Sequence, residues 1–290
     1  MSDISERNRV LYGAISRFMA NRNAIVGAIV LLVLLIITFF APLLAAYDPY
    51  VIDFDNMLSP PAMGHPFGTD HLGRDYLART IYGGRISLAV GFVCMAMSLV
   101  IGTIIGATSG FLGGIIDNFL MRLVDFINSL PIFFIVMIAQ MVLQPSIFNV
   151  MWVIGLTSWM SIARIVRGEV LSKREQDFVL AARAIGVPTS RVLWKHILPN
   201  ISGPILVTAT LSIAHAILTE SALSFLGLGV QAPEASWGNM LMGAQTRMLN
   251  APWIALFPGA MICITVMSFN FLGDGLRDAL DPKTGLRQIG

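Results

Sequence analysis

The chain has 290 residues, of which 56% are hydrophobic and only 12% charged, with a net charge of +2. A soluble domain carries about twice that charged fraction, so these side chains cannot cover the surface of a soluble protein this long. The small net charge makes no case for nucleic acid as a partner. The charges instead cluster between long apolar runs, the pattern of an integral membrane protein.

A polar arm, Met1–Asn23, comes first and does not read as a cleaved signal peptide, because the apolar run after it is long enough to span. A crossing takes about 20 mostly apolar residues. Six stretches qualify in order: Ala24–Ala46, Ile86–Thr108, Phe119–Leu143, Phe148–Val166, Ile201–Leu223 and Trp253–Leu272. The expected fold is therefore all-α and polytopic, with about six transmembrane helices and both termini on one side. Lysine and arginine decide which side. Fifteen of the nineteen fall with the termini, against Arg74, Arg79, Arg85 and Arg247 opposite, so the termini are expected in the cytoplasm. The outer segments are then Tyr47–Arg85, a short turn near Pro145, and Gly227–Pro252. The first holds Asp48, Asp53, Asp55, Asp70 and Asp75 among prolines and glycines, and reads as a folded cap with little helical periodicity. Cys94 and Cys263 lie within apolar runs without C-x-x-C spacing and read as small apolar side chains.

Ionisable groups within spans are costly and therefore functional candidates. Glu220 either lines a substrate path or gate, or is a carboxylate reaching the outer interface or bonded to a neighbouring helix. Asn118, Arg122, Asp125 and Ser129 recur at spacings of four, three and four, which is one helical face. Arg122 and Asp125 can pair along it. That face turns either to a water-filled cavity or partner subunit, or simply to the headgroup zone. Glu220, Arg122 and Asp125 are thus the candidate pathway or gate residues. Catalytic chemistry is missing. Lys173, Lys195 and Lys283 follow Ser172, Trp194 and Pro282, so there is no Gly-Lys of a P-loop. None of His65, His71, His196 and His215 opens H-E-x-x-H, and no serine sits in G-x-S-x-G. No catalytic residue and no metal site is expected.

The stretch Arg164–Asn200 is long for a connection between spans. Arg174–Ile185 is expected to be a helix with Phe178, Val179, Ala182 and Ile185 on one apolar face. Gly186 stops it, since glycine takes the left-handed C-cap geometry cheaply, and Pro188 follows. Thr189 and Ser190 can cap a second helix, Arg191–Ile197, which Pro199 and Asn200 end. Ala181 and Ala182 offer a small-residue surface to another protein, ringed by Arg183, Arg191 and Lys195.

Ala181-Ala182, Gly186 and Leu198-Pro199 resemble the E-A-A…G…I-x-L-P signature of ABC importer permeases, with Leu180 replacing the usual glutamate and His196 the usual isoleucine. Phe67-Gly68-Thr69-Asp70, Gly73-Arg74-Asp75 and Gly84-Arg85-Ile86-Ser87-Leu88 resemble landmarks of the dipeptide, oligopeptide and nickel permease family. So do the run 222–229, Trp237-Gly238 and the run 273–282, the last of which resembles the second, C-type subunit. The resemblance covers nearly the whole chain. It implies a type I importer core over 86–273, preceded by a cytoplasmic arm (1–23), a first span (24–46) and an extracytoplasmic cap (47–85). A cytoplasmic coupling loop (167–200) lies within that core, and a cytoplasmic tail (274–290) follows it. It implies a homologous second permease subunit, two ATPase subunits that bind ATP and Mg, and an extracytoplasmic substrate-binding protein, all at the bacterial cytoplasmic (inner) membrane. No cofactor is expected in this chain. The coupling residues are Asp177, Ala181, Ala182, Arg183, Gly186, His196, Leu198 and Pro199. The cap residues Asp70, Arg74 and Asp75 would meet the binding protein or partner permease, or else be bonded within the cap. The expected function is peptide import by ATP-driven alternating access. Nickel or another small solute is the alternative cargo and a secondary carrier the alternative mechanism.

Overall fold

The computed structural model describes residues 13, 15–143 and 146–280. The turn expected near Pro145, most of the arm before residue 15, and the tail beyond Leu280 with Lys283 and Arg287 lie outside the described residues. Among the described residues the regular elements are helices. In chain order these are α1 (Arg22–Phe39), α2 (Tyr76–Leu112), α3 (Gly114–Ser129), α4 (Ile132–Val142), α5 (Ile147–Thr157), α6 (Met160–Lys173), α7 (Asp177–Ala184), α8 (Ser202–Phe225) and α9 (Trp253–Leu280), with short turns between them. α1, α2, the α5–α6 run, α8 and α9 are each long and apolar enough to cross a membrane. The pair α3 and α4 makes a sixth crossing if its halves are taken together.

That pair corrects the single helix expected over Phe119–Leu143. α3 and α4 meet at 78°. Pro131 is the cause: it has no N–H to donate, and its ring forces the preceding residue out of the helical region. Leu130 accordingly sits at φ −86°, ψ 140°. The second crossing is longer than expected, with 37 residues in α2. At about 1.5 Å per residue this is roughly 55 Å, against a hydrocarbon core of about 30 Å. It starts inside the segment read as cap, because the Asp75 carboxylate accepts the Ala78 N–H at 2.7 Å and caps the helix there. α6 likewise continues to Lys173, so Arg164 and Arg167 stand on a helix.

α2 is the spine of the bundle. α6 and α8 pack along it, and α9 packs on both α8 and α1. Gly102, Gly106 and Gly110 recur every fourth residue on the face toward α6. A Cβ at Gly102 would stand 2.7 Å from Ile162 Cβ, one at Gly110 would stand 2.8 Å from the Arg167 carbonyl, and one at Gly106 would collide with the Ala163 carbonyl. Small residues at this spacing let two helix backbones approach this closely in a membrane. Away from the bundle, α1 exposes Val26, Ile29, Leu32, Val33 and Ile36, the surface of a helix against lipid.

Replacing Gly106 with valine must push α2 and α6 apart. The expected cost is about 1–3 kcal/mol, read as a drop in the thermal unfolding midpoint of the solubilised protein. Gly168→Ala, on α6 where an added Cβ meets nothing within 4 Å, should be neutral or slightly stabilising. An unchanged midpoint for Gly106→Val would mean the helices are not held this way.

Candidate functional site

Two features stand at opposite ends of α6: the helical loop after its C-terminus and a cavity of ≈ 560 Å³ beside its N-terminus. In the loop, α7 is shorter at both ends than the helix expected over Arg174–Ile185. Its buried face is Val179 and Ala182 alone, while Phe178 and Ile185 are 38% and 82% exposed. Ala182 is therefore no part of an open surface, although Ala181 is. Gly186 turns the chain with φ +79°. Its N–H donates to the Arg183 carbonyl and that of Val187 to the Ala182 carbonyl, closing a left-handed helix end.

Thr189 and Ser190 do not cap the next helix. Pro188 holds the N-cap position without a side-chain bond, and Thr189–Arg191 form the first turn. A π-helical stretch, Val192–Ile197, and a 3-10 turn, Leu198–Ile201, then run into α8. Pro199 thus does not end the run. It sits at the start of the 3-10 turn, and the wider turns before it relieve the clash its ring would make with the carbonyl four residues back.

The inner side of this loop is fused to the spans. Val179, Ala182, Val192, Leu193, Ile197 and Ile201 share one buried cluster with Ala107 and Phe111 of α2 and Ile162, Val166 and Val170 of α6. Arg183, expected to ring a docking surface, lies over the Phe111 ring at 4.8 Å. Arg174 donates to the Gly110 carbonyl at 3.2 Å. Arg167 forks onto both oxygens of Asp117 at 2.5 and 2.7 Å. The outer side leaves Leu180, Ile185 and Trp194 at 50%, 82% and 55% exposure, with Asp177, Ala181 and Pro199 also open and His196 and Leu198 half-buried.

The cavity is walled by the start of α4, the α5–α6 joint and the middle of α8. Thr208, Ser212, His215 and Thr219 face it from α8, and Thr157, Ser158 and Ser161 from the joint, with Asn128 at the end of α3. A second cavity of ≈ 590 Å³ shares Thr208 and Leu211 with the first and adds Glu169, Lys173, Asp274 and Arg277. The α8 face was missed in the sequence, although its spacing of four, three and four repeats that of the stripe on α3. Hydroxyls in a membrane helix carry no charge to draw notice.

None of the three candidate pathway residues lines either cavity. Asp125 pairs with Arg164 of α6 at 2.7 Å and not with Arg122, which is exposed and has no partner among the described residues. Glu220 is fully buried, and its Oε1 accepts Ser224 Oγ at 2.7 Å and Ser236 Oγ at 2.8 Å. Ser236 also begins the one-turn helix Trp237–Met240 through a capping box. Trp237, wholly buried, donates its ring N–H to the Thr80 carbonyl at 2.9 Å and its backbone N–H to Ser87 Oγ at 3.1 Å. Glu220 thus fastens the outer loop to α8 and, through Trp237, to α2.

Asp70, Arg74 and Asp75 are 3%, 7% and 5% exposed and are bonded within the cap, the second of the two arrangements the sequence left open. Asp70 accepts Arg74 Nε at 2.7 Å, with Arg79 3.5 Å away, and Asp75 pairs with His65 at 2.8 Å. The Asn56 amide and the Asp55 N–H hold the Asp53 carboxylate below its ordinary range, and burial pushes the His71 imidazole down. Among the described residues no three of His, Cys, Asp and Glu converge as a metal site.

Residues 98–286 match the family of binding-protein-dependent transport system inner membrane components. The chain belongs to this family of membrane permeases. Residues 11–61 match the N-terminal transmembrane domain of oligopeptide transport permease C. The permease is 44% identical over 281 residues to the oligopeptide transport system permease protein OppC of Bacillus subtilis (strain 168), spanning 97% of this chain and 92% of that one. It is 45% identical over 269 residues to OppC of Escherichia coli (strain K12), spanning 92% and 89%. It is 42% identical over 270 residues to the dipeptide transport system permease protein DppC of Alkalihalophilus pseudofirmus, spanning 93% and 89%.

The buried Glu220 gives a test of its place in the permease. Glu220→Ala strands the Ser224 and Ser236 hydroxyls and leaves a void, so unfolding should cost about 3 kcal/mol less and the outer loop should be cut faster by protease. The substrate concentration for half-maximal uptake should stay as it was. A shift in that concentration with no loss of stability would put Glu220 on the pathway.

Proposed function

We propose that this permease forms half of the translocation pathway of an ATP-driven peptide importer. Its partners are a homologous permease subunit, two ATPase subunits that bind ATP and Mg, and an extracytoplasmic binding protein that delivers the peptide. The names of its oligopeptide and dipeptide relatives support peptides as the cargo. The observation that carries the mechanism is that one helix, α6, has the loop at one end and the hydroxyl-bearing cavity at the other. The chain has no Gly-Lys for a P-loop, so ATP hydrolysis belongs to the ATPase chains, and this subunit needs no cofactor of its own.

The excess of lysine and arginine beside the termini supports a cytoplasmic location for both, with the loop on the ATPase side and the cap on the side of the binding protein. ATP binding closes the ATPase dimer, whose groove carries α7. The exposed side of the loop, with Asp177, Leu180, Ala181, Ile185 and Trp194, makes the contact that differs between open and closed dimers. Its buried side, with Ala182, Val192 and the Arg183–Phe111 contact, passes the movement to α2 and α6 as a rigid-body rotation that opens the pathway outward. The exposed stripe of Arg122 and Asp125 faces the partner permease.

Gly186→Ile tests the coupling. A β-branched residue at φ +79° costs about 1–2 kcal/mol and turns the loop. ATP hydrolysis in the reconstituted transporter should continue while peptide uptake falls at least about tenfold. Normal uptake by this variant would refute the role of the loop. Failure of two P-loop ATPase chains to co-purify with the permease would refute the reading as a whole.

A further inference from the structure

The cavity wall has a hydrogen-bonding polarity that its residue names do not reveal. A hydroxyl carries one proton, and a hydroxyl that donates it elsewhere offers only lone pairs. Five of the wall's hydroxyls spend that proton on carbonyls of their own helices. Thr157 donates to Val153 at 2.7 Å and Ser158 to Ile154 at 2.7 Å. Thr208 donates to Pro204 at 2.8 Å, Ser212 to Ala209 at 2.7 Å and Thr219 to His215 at 2.9 Å. Their oxygens are left as acceptors on a wall that holds no Asp, Glu, Lys or Arg. These five oxygens suit the ammonium and N–H groups of a peptide and offer nothing to a carboxylate.

Every peptide with a free C-terminus carries a carboxylate, and acidic side chains add more. The neutral donors on the wall are Asn128 and Ser161. His215 stands between Ser212 and Thr219 on α8, exposed, and its ring has no partner among the described residues. Of the described residues lining the cavity it is the one that can carry charge. We propose that His215 sets how this permease handles acidic side chains, its ring N–H meeting their carboxylate while the hydroxyl oxygens meet the peptide's N–H groups.

This rests on the peptide-import reading, and the test separates the two. The complete transporter is reconstituted in vesicles, and turnover is measured at saturating peptide-loaded binding protein, so that selection by that protein drops out. The substrates are two tripeptides that differ only by Asp or Asn at the centre. His215→Leu should lower the ratio of Asp-peptide to Asn-peptide turnover about tenfold, the worth of one hydrogen bond to a charged group. His215→Arg should hold or raise the ratio, and His215→Gln, which keeps a neutral donor, should fall between. Equal losses for both peptides, or ratios within about twofold of the unaltered protein in all three variants, would overturn the assignment. If the unaltered transporter imports neither peptide, the peptide-import reading has failed instead.

Discussion

Gly102, Gly106 and Gly110 bring α2 and α6 into backbone contact, and the rest of the permease is arranged around that seam. Helices separated by side chains can slide as those side chains change rotamer, whereas backbones in direct contact have little to yield. The polar contacts that flank the seam fix its register. Arg167 of α6 holds Asp117 of α3, and Arg174 reaches the Gly110 carbonyl at the end of the glycine row. The buried cluster then extends the same body through Phe111 to Val179 and Ala182 of the loop. The loop is thus the far end of a closely packed pair of helices whose near end, at Met160 and Ser161, walls the cavity.

The N-terminal end of α2 is anchored as firmly. Asp75 caps the helix and pairs with His65, while Arg79 ties back to the Pro49 carbonyl at 3.1 Å. Trp237 docks on Thr80 and Ser87 and is held from the other side by the Ser236–Glu220 bond. A single helix of 37 residues therefore carries the cap and the loop of Trp237 at one end and the helical loop after α6 at the other. Charged residues that look available in the sequence are mostly consumed in building this frame.

Much of the architecture was legible in the chain because lipid imposes a simple rule on it: about 20 apolar residues per crossing. The turn at Gly186 was legible because few residues other than glycine take its conformation cheaply. The break at Pro131 follows from the proline, yet the predominantly apolar run on both sides of it across Phe119–Leu143 masked it. The partner of Asp125 is Arg164, 39 positions away, so no local spacing rule could select it over Arg122. The clamp at Glu220 closes only when Ser236 returns from a distant loop. The glycine seam itself was written in the sequence as a four-residue repeat, and what it packed against was not.

The central claim is that loop and cavity wall move as one body. Spin labels at Leu156, above the cavity end of α6, and at Ile185, in the loop, test it directly, since both side chains are exposed. Rigid coupling predicts the same label-to-label distance in the assembled transporter with and without trapped ATP, while the distance from Leu156 to the partner permease changes. A nucleotide-dependent change between Leu156 and Ile185 themselves would contradict it.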